Sequence, residues 1–294
     1  MVDVFVAGAL NWDTIVDAPH LPRLDETVVG SGVAYQLGGK GGNQAVQAAR
    51  LGASVKMAGS VGDDANGASL REALESVGVD TSQVATVPGP SGMSVAIVQS
   101  DGEYGAAIVP GANARVDPTR VDIPEGTSVV LLQNEIPDFV NAAIMARVPE
   151  TAQIVLNAAP ARDMSPGVIG RTDVLIVNRV EAAGLLGSEM DGLRSARALL
   201  ALGPATVIVT LGSGGLAFAV RDGPSGQRSA RNVSVSSAHG AGDAFTGAFA
   251  VALAQAMPLE KALQFAQAAA ALHVSTAPEA RGTIDMNALR QVIS

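Results

Sequence analysis

The amino-acid sequence predicts an α/β fold: a doubly wound, mostly parallel sheet flanked by helices, with a small β-sheet lid set apart from it. Three observations carry this expectation. Short valine-rich runs, VFVAGAL (4–10), SVKMAGS (54–60), SVVLLQN (128–134), QIVLNAA (153–159), DVLIVN (173–178) and TVIVTLG (206–212), alternate with alanine-rich stretches of helical spacing. The runs are apolar at nearly every position, as strands are when helices cover both faces of a parallel sheet. Two segments break the rhythm: about 14–37, where TVVGSGVAYQL alternates, and about 91–109, where SVAIVQSDGEYGAAIV reads as a hairpin around Asp101 and Gly102.

A chain of 294 residues fits one large α/β unit. Residues 1–294 are therefore read as a single domain whose two excursions build the lid. Hydrophobic residues make up 48% and aromatic ones 3%, so the core must come from Ala, Val, Leu and Ile. With 19 basic and 28 acidic side chains the net charge is −9, and no Lys/Arg cluster appears, which argues against nucleic acid and anionic membrane as partners. An acidic chain that handles phosphate must rely on local backbone donors and metal ions. The absence of cysteine excludes disulfides, thiolate nucleophiles and Cys-type zinc sites and fits the cytoplasm, while His20, His239 and His273 are too scattered to suggest a metal cluster. The N-terminal segment carries Asp3, has no basic start and is too short in its apolar run for a secretory signal. No stretch reaches membrane-spanning length.

Taken in order, the first run ends near Asn11 and Asp13. Side chains two apart in an extended segment point the same way, so this amide and carboxylate can face one polar ligand at the carboxyl end of a strand; an Asx turn accounts for them equally well. LGGKGGNQAVQAARLG (37–52) then places four glycines around Lys40 ahead of a helix over 43–51. Gly41 stands where a GxxxxGK[ST] phosphate loop needs Ser or Thr, so the glycines admit some other ligand or make a turn with a solvated lysine. Further helices are expected over 66–77, 137–147, 179–186, 193–202, 242–256 and 259–274, several ending at glycine. VVLLQNE ends at Glu135, a carboxylate at another strand end. Asn178 with Glu181 three residues on reads as a capping box, and their hard oxygens would also suit a magnesium-bound phosphate. TLGSGG (210–215) lets a nucleotide lie against its small residues, or makes a tight hairpin turn.

The sharpest signal is GAGD at 240–243, which opens the helix over 242–256. Amides at a helix N-terminus lack intrahelical acceptors and, with the helix dipole, form a site for developing negative charge. The same field favours an ionised Asp243, which can then accept a proton from a hydroxyl as that hydroxyl attacks phosphorus. A charge-complementary helix start is the plainer account of one such aspartate.

Taken together, NWD (11–13), GGKGGNQA (38–45), Glu135, NAAPAR (157–162), NRVE (178–181), TLGSGG and GAGDAFTGAF (240–249) make the chain resemble the ribokinase-like, or phosphofructokinase-B, carbohydrate kinases over nearly its whole length. The resemblance implies transfer of the γ-phosphoryl group of ATP to a primary sugar hydroxyl. The wording of GGKGGNQA and NAAPAR favours ribose; fructose, another pentose or a nucleoside are the alternatives, and a non-catalytic sugar- or nucleotide-binding regulator is a different class. It further implies Mg2+ as cofactor and a homodimer formed through the lid. Carried over by position, Asp243 matches the catalytic base and Gly240, Ala241 and Gly242 the anion hole. Asn11, Asp13, Gly39, Lys40, Asn43 and Glu135 match sugar contacts. Asn178, Thr210, Gly212, Ser213, Gly215, Gly242 and Gln267 match nucleotide positions, and Glu181 lies in the NxxE element linked to magnesium through water.

The sequence departs from that pattern where the family usually has Asp-Thr, the aspartate helping to hold potassium beside the anion hole. Ser237 and Ala238 stand there, and the C-terminal loop STAPEARGTID (275–285) also differs. The expectation is a potassium site near Ser237 and His239 that is dispensable, with His239 or Arg281 supplying the missing positive charge. Gly42 replaces a common alanine. Trp12, between Asn11 and Asp13, should point away from the sugar by strand alternation or else line the lid.

Overall fold

Strand β1 (Val4–Ala7) of the computed structural model, which describes residues 2–99 and 103–293, leads into β2 (Asn11–Asp17), β3 (Gly32–Gly38) and α1 (Lys40–Arg50). There follow β4 (Val55–Gly62), α2 (Ala65–Glu75), β5 (Asp80–Val87), β6 (Gly92–Val98), β7 (Tyr104–Val109), β8 (Val129–Gln133), α3 (Asp138–Met145), β9 (Gln153–Asn157) and α4 (Pro166–Gly170). The last part holds β10 (Val174–Asn178), α5 (Arg179–Leu186), α6 (Gly192–Leu199), β11 (Thr206–Thr210), β12 (Leu216–Val220), β13 (Ser225–Arg228), α7 (Ala241–Ala254), α8 (Leu259–Ser275) and α9 (Met286–Ile293).

Among the described residues the large sheet runs β13-β12-β11-β10-β9-β8-β1-β4-β5. It is parallel from β5 to β11, with β12 and β13 added antiparallel at one edge. Its central strands are buried at every position. That burial explains why their sequences carry no alternation. Helices α1, α7 and α8 cover one face, through residues such as Ala48, Phe249 and Ala266, and α3 and α6 the other, through Val140, Ile144 and Leu199. Strand order reverses between β1, from which the chain builds outward to β4 and β5, and β8, from which it builds the opposite way. In open α/β sheets the crevice at such a reversal is where ligands bind.

The small sheet runs β3-β2-β6-β7, with β2/β3 and β6/β7 antiparallel and β2/β6 parallel. The tip expected at Asp101 and Gly102 lies outside the described residues. Two differences from the sequence reading bear on the site. First, Asn11 and Asp13 belong to the small sheet rather than to the end of the first strand. Buried Asn113 clamps the backbone between the two sheets, accepting from the Leu10 amide at 2.9 Å and donating to the Leu10 carbonyl at 3.0 Å. Second, α1 begins at Lys40 and not at Asn43, so Gly41 and Gly42 lie inside its first turn. A Cβ at Gly41 would meet the backbone of Gly8 at 2.8 Å, so the glycines let the helix lie directly on the chain leaving β1. No helix among the described residues is long and apolar enough to cross a membrane.

Candidate active site

The carboxyl ends of β1 and β8 bring together residues that are distant in sequence. Gly39, with φ of +78°, caps α1 in a conformation that glycine supplies without strain, and the Lys40 amide then donates to Glu135 Oε2 at 2.7 Å across the reversal point. On the small sheet, Asn11 and Asp13 share a face, and Trp12 points to the opposite side, where it packs against the core. Asn11 Oδ1 accepts from Asn113 Nδ2 at 2.8 Å and Asp13 Oδ1 from Ser94 Oγ at 2.6 Å.

Asp243 occupies the first turn of α7 and is only 7% exposed. Its Oδ2 accepts from Asn43 Nδ2 at 3.2 Å and its Oδ1 from Gln44 Nε2 at 2.9 Å. Gln44 extends this into a buried chain: its Nε2 also donates to Asn157 Oδ1 at 3.0 Å and its Oε1 accepts from Gln133 Nε2 at 2.8 Å. Sequence reasoning assigned no role to Gln44, Gln133, Asn157, Asn113 or Ser94. The available signal was that Gln133 and Asn157 are the polar residues closing two otherwise apolar runs, at strand ends that face the crevice. A cleft of about 290 Å³ opens over Asp243 and Asn43 and is also lined by Gln36, Gly240, His273 and Arg281.

Gly240 caps α7 with φ of +79°, and a Cβ there would meet His273 Nε2 at 2.9 Å. The amides of Gly240, Gly242 and Asp243 find no acceptor among the described residues, whereas the Ala241 amide turns back to the Ala238 carbonyl at 3.3 Å. Gly240, Gly242 and Asp243 thus present free amides among the described residues, and the Ala241 amide is engaged by that turn.

Burial pushes the Asp13 carboxyl up, against the hydrogen bond from Ser94 and the attraction of His239. It does the same at Glu135, where the Lys40 amide and charge oppose it and Asp243 and Asp13 add repulsion. Glu181 is also raised by burial, with Asn178 and Lys40 opposing. The charge of Asp243 adds to the rise at all three, and the charge of Lys40 opposes it at Glu135 and Glu181. Such a site gains from polar hydroxyls or a cation that replace lost water.

Asn178 and Thr210 lie opposite each other at the ends of β10 and β11. The capping box is complete: the Glu181 amide donates to Asn178 Oδ1 at 2.9 Å, and Glu181 Oε2 and Oε1 accept from the Asn178 amide and Nδ2 at 2.7 and 2.9 Å. Thr210 Oγ1 donates to the Val177 carbonyl at 3.3 Å. Gly212 and Ser213 form an exposed turn joining β11 to antiparallel β12, so the tight hairpin is present. A Cβ at Gly215 would strike the Arg228 carbonyl, and Gln267 Nε2 donates to the Ser229 carbonyl at 3.1 Å. Gly215 and Gln267 thus gather around the same 228–229 segment, away from Asp13 and Glu135.

Gly38 gives a local test. A Cβ there would overlap the Asp13 carboxylate, the movable end of a side chain and not backbone. Gly38→Ala is expected to push the Asp13 carboxylate out of this position and break its hydrogen bond with Ser94, with the melting temperature little changed. A crystal structure of the variant and its thermal melt check this.

The model of the pfkB family of carbohydrate kinases matches residues 1–283. The chain is 33% identical over 306 aligned residues to ribokinase of Bacillus subtilis (strain 168), covering 100% of both. Its structure is similar to that of ribokinase from Thermotoga maritima, with a TM-score of 0.92, 28% identity and coverage of 100% of this chain and 99% of the other. Arabidopsis thaliana ribokinase, solved in complex with ribose and ATP, matches with a TM-score of 0.89 and 30% identity, covering 100% of this chain and 99% of the other.

Proposed function

The chain belongs to the pfkB family of carbohydrate kinases, and from that premise we propose that it transfers the γ-phosphoryl group of ATP to the primary hydroxyl of ribose, giving ribose 5-phosphate and ADP. The observation that carries this is Asp243, buried in the first turn of α7 beside three free amides and held by Asn43 and Gln44 at the crevice where strand order reverses.

In this reading Asn11, Asp13, Gly39, Lys40, Asn43 and Glu135 hold the sugar, their carboxylates accepting from its hydroxyls. Asp243 takes the proton of the primary hydroxyl as its oxygen bonds to the γ-phosphorus. The bond from phosphorus to the β,γ-bridging oxygen breaks, and ADP leaves with that electron pair. The amides of Gly240, Gly242 and Asp243 receive the charge that accumulates on the phosphoryl oxygens. Asn178, Thr210, Gly212, Ser213, Gly215 and Gln267 hold the nucleotide. Glu181 suits a magnesium ion bound through water: it is buried, it is raised in pKa by that burial, and each oxygen keeps a lone pair after accepting from Asn178. Bound there with the phosphates, magnesium would supply charge neutralisation.

The small sheet acts as a lid that excludes water as a competing nucleophile. Its face bearing Val33, Tyr35 and Val109 is apolar and exposed, which supports pairing of two lids in a homodimer. Val33→Asp with Val109→Asp is expected to give a monomer by light scattering where the wild type is a dimer; a dimeric double variant would place the interface elsewhere. The cytoplasm is the compartment that supplies such an enzyme with ATP.

The reading is tested by ADP release with magnesium and a panel of ribose, 2-deoxyribose, fructose and nucleosides. Ribose should give the highest kcat/KM. A higher value with another member would keep the mechanism and change the substrate, and no release with any member would refute the reading.

A further inference from the structure

Arg281 projects its guanidinium into the loop ahead of α7. Its Nη2 donates to the Ser237 carbonyl at 2.8 Å, Nη1 to the His239 carbonyl at 3.1 Å, and Nε to the carbonyls of His273 and Thr276 at 3.2 and 3.4 Å. The Arg281 carbonyl accepts from Arg50 Nη1 at 3.1 Å, which anchors the residue's own backbone. These four acceptors are neutral oxygens drawn from two chain segments: the end of α8, where the helix dipole is negative, and the loop entering α7. Convergent backbone carbonyls are the chemistry that replaces the hydration shell of a monovalent cation. Here they are taken up by a side chain, and the carboxylate expected beside them is absent, with Ser237 and Ala238 in its place. The residues present therefore do not fit a potassium site. Nor does the His239 side chain fill it, since that residue contributes its carbonyl and is otherwise exposed.

The consequence reaches the anion hole through one peptide. His239 O accepts from Arg281 Nη1 and from His273 Nε2, the latter at 2.9 Å, so His273 carries its proton on Nε2. In a trans peptide the carbonyl and the amide point opposite ways. Fixing the His239 carbonyl toward Arg281 therefore turns the Gly240 amide away from it, where it has no acceptor among the described residues. Burial and the neighbouring guanidinium hold the His273 pKa down, leaving the arginine as the fixed charge at this position.

We propose that Arg281 is a positioning residue, a tethered cation that orients the Gly240 amide of the anion hole in the place of a free monovalent ion and so makes turnover independent of potassium. The inference rests on the kinase reading above, and two measurements separate the failure of one from the failure of the other.

The first is turnover with saturating ribose and magnesium ATP in potassium, sodium or tetramethylammonium buffer, for wild type, Arg281→Met and Arg281→Lys. Wild-type kcat should agree within about twofold across the buffers. Arg281→Met should lose at least about tenfold in kcat with the ribose KM nearly unchanged, and regain activity with potassium or added guanidinium, while Arg281→Lys should fall between. Potassium activation of the wild type by about tenfold, or wild-type kcat in a folded Arg281→Met protein without potassium, would overturn the proposal. The second measurement is thermal melting in the same three buffers, which needs no activity. The wild type should show no potassium-specific stabilisation, and Arg281→Met should acquire one. Potassium-specific stabilisation of the wild type would overturn the proposal even if the protein phosphorylates none of the sugars, and it decides the matter if the variant does not fold.

Discussion

Asp243→Asn is expected to lower kcat by about 10²–10⁴-fold while ATP still binds, because the substitution removes the proton acceptor and keeps the shape. The carboxylate accepts two hydrogen bonds, from Asn43 and Gln44. An asparagine can accept one of them and must turn its NH2 toward the other donor. Gln44 is fully buried and Asn43 is not, so the amide oxygen should stay with Gln44 and Asn43 should swing toward solvent. The stability cost is then about that of one hydrogen bond, roughly 1 kcal/mol. Rapid-quench single turnover with nucleotide titration on the same sample checks both halves. Wild-type turnover in this variant would require another base.

The second large effect is predicted for Gln44→Ala, a residue that touches no expected substrate atom. Gln44 is the hub between Asp243, Asn157 and Gln133, all buried. Truncation leaves the Asn157 oxygen and the Gln133 amide without their partner and opens a void between α1 and β8. Stranded buried polar groups cost about 1–3 kcal/mol each, so the expected loss is roughly 2–5 kcal/mol. Denaturant unfolding measures it. Asp243 also loses the donor that fixes its rotamer, and kcat should fall together with stability. A variant as stable as the wild type would mean that water or a rearranged Gln133 fills the gap.

Much of the fold could be read in the sequence because parallel strands buried on both faces are locally distinctive: VVLLQ, VLIVN and TVIVT need no context. Helix α5 was legible at both ends, from the Asn178–Glu181 box and from Gly187 in the left-handed conformation. Strand β5 and helix α9 were not: DTSQVATV lies at the edge of the large sheet and is only partly buried, and α9 buries little beyond Leu289. Helix α1 was read three residues short because glycine lowers intrinsic helix propensity, and only tertiary contact with Gly8 explains why three turns nonetheless begin at Lys40. At the site, Asp243 and Glu135 stood out as carboxylates at a helix start and a strand end. So did Asn43 and Lys40, which bond them, but Gln44 did not, because it meets Asp243 across 199 residues, and the sequence did not show that Arg281 would reach the Ser237 carbonyl across 44. No local pattern encodes such pairings.

The central claim, that this site moves the terminal phosphoryl group of ATP onto the primary hydroxyl of ribose, is tested most directly by following the reaction with 31P NMR in the presence of magnesium. The account predicts loss of the γ-phosphate signal with equal gain of ADP and of a phosphomonoester resonance split into a triplet by the C5 methylene protons. Inorganic phosphate alone, or a doublet from a phosphate on a ring carbon, would contradict it.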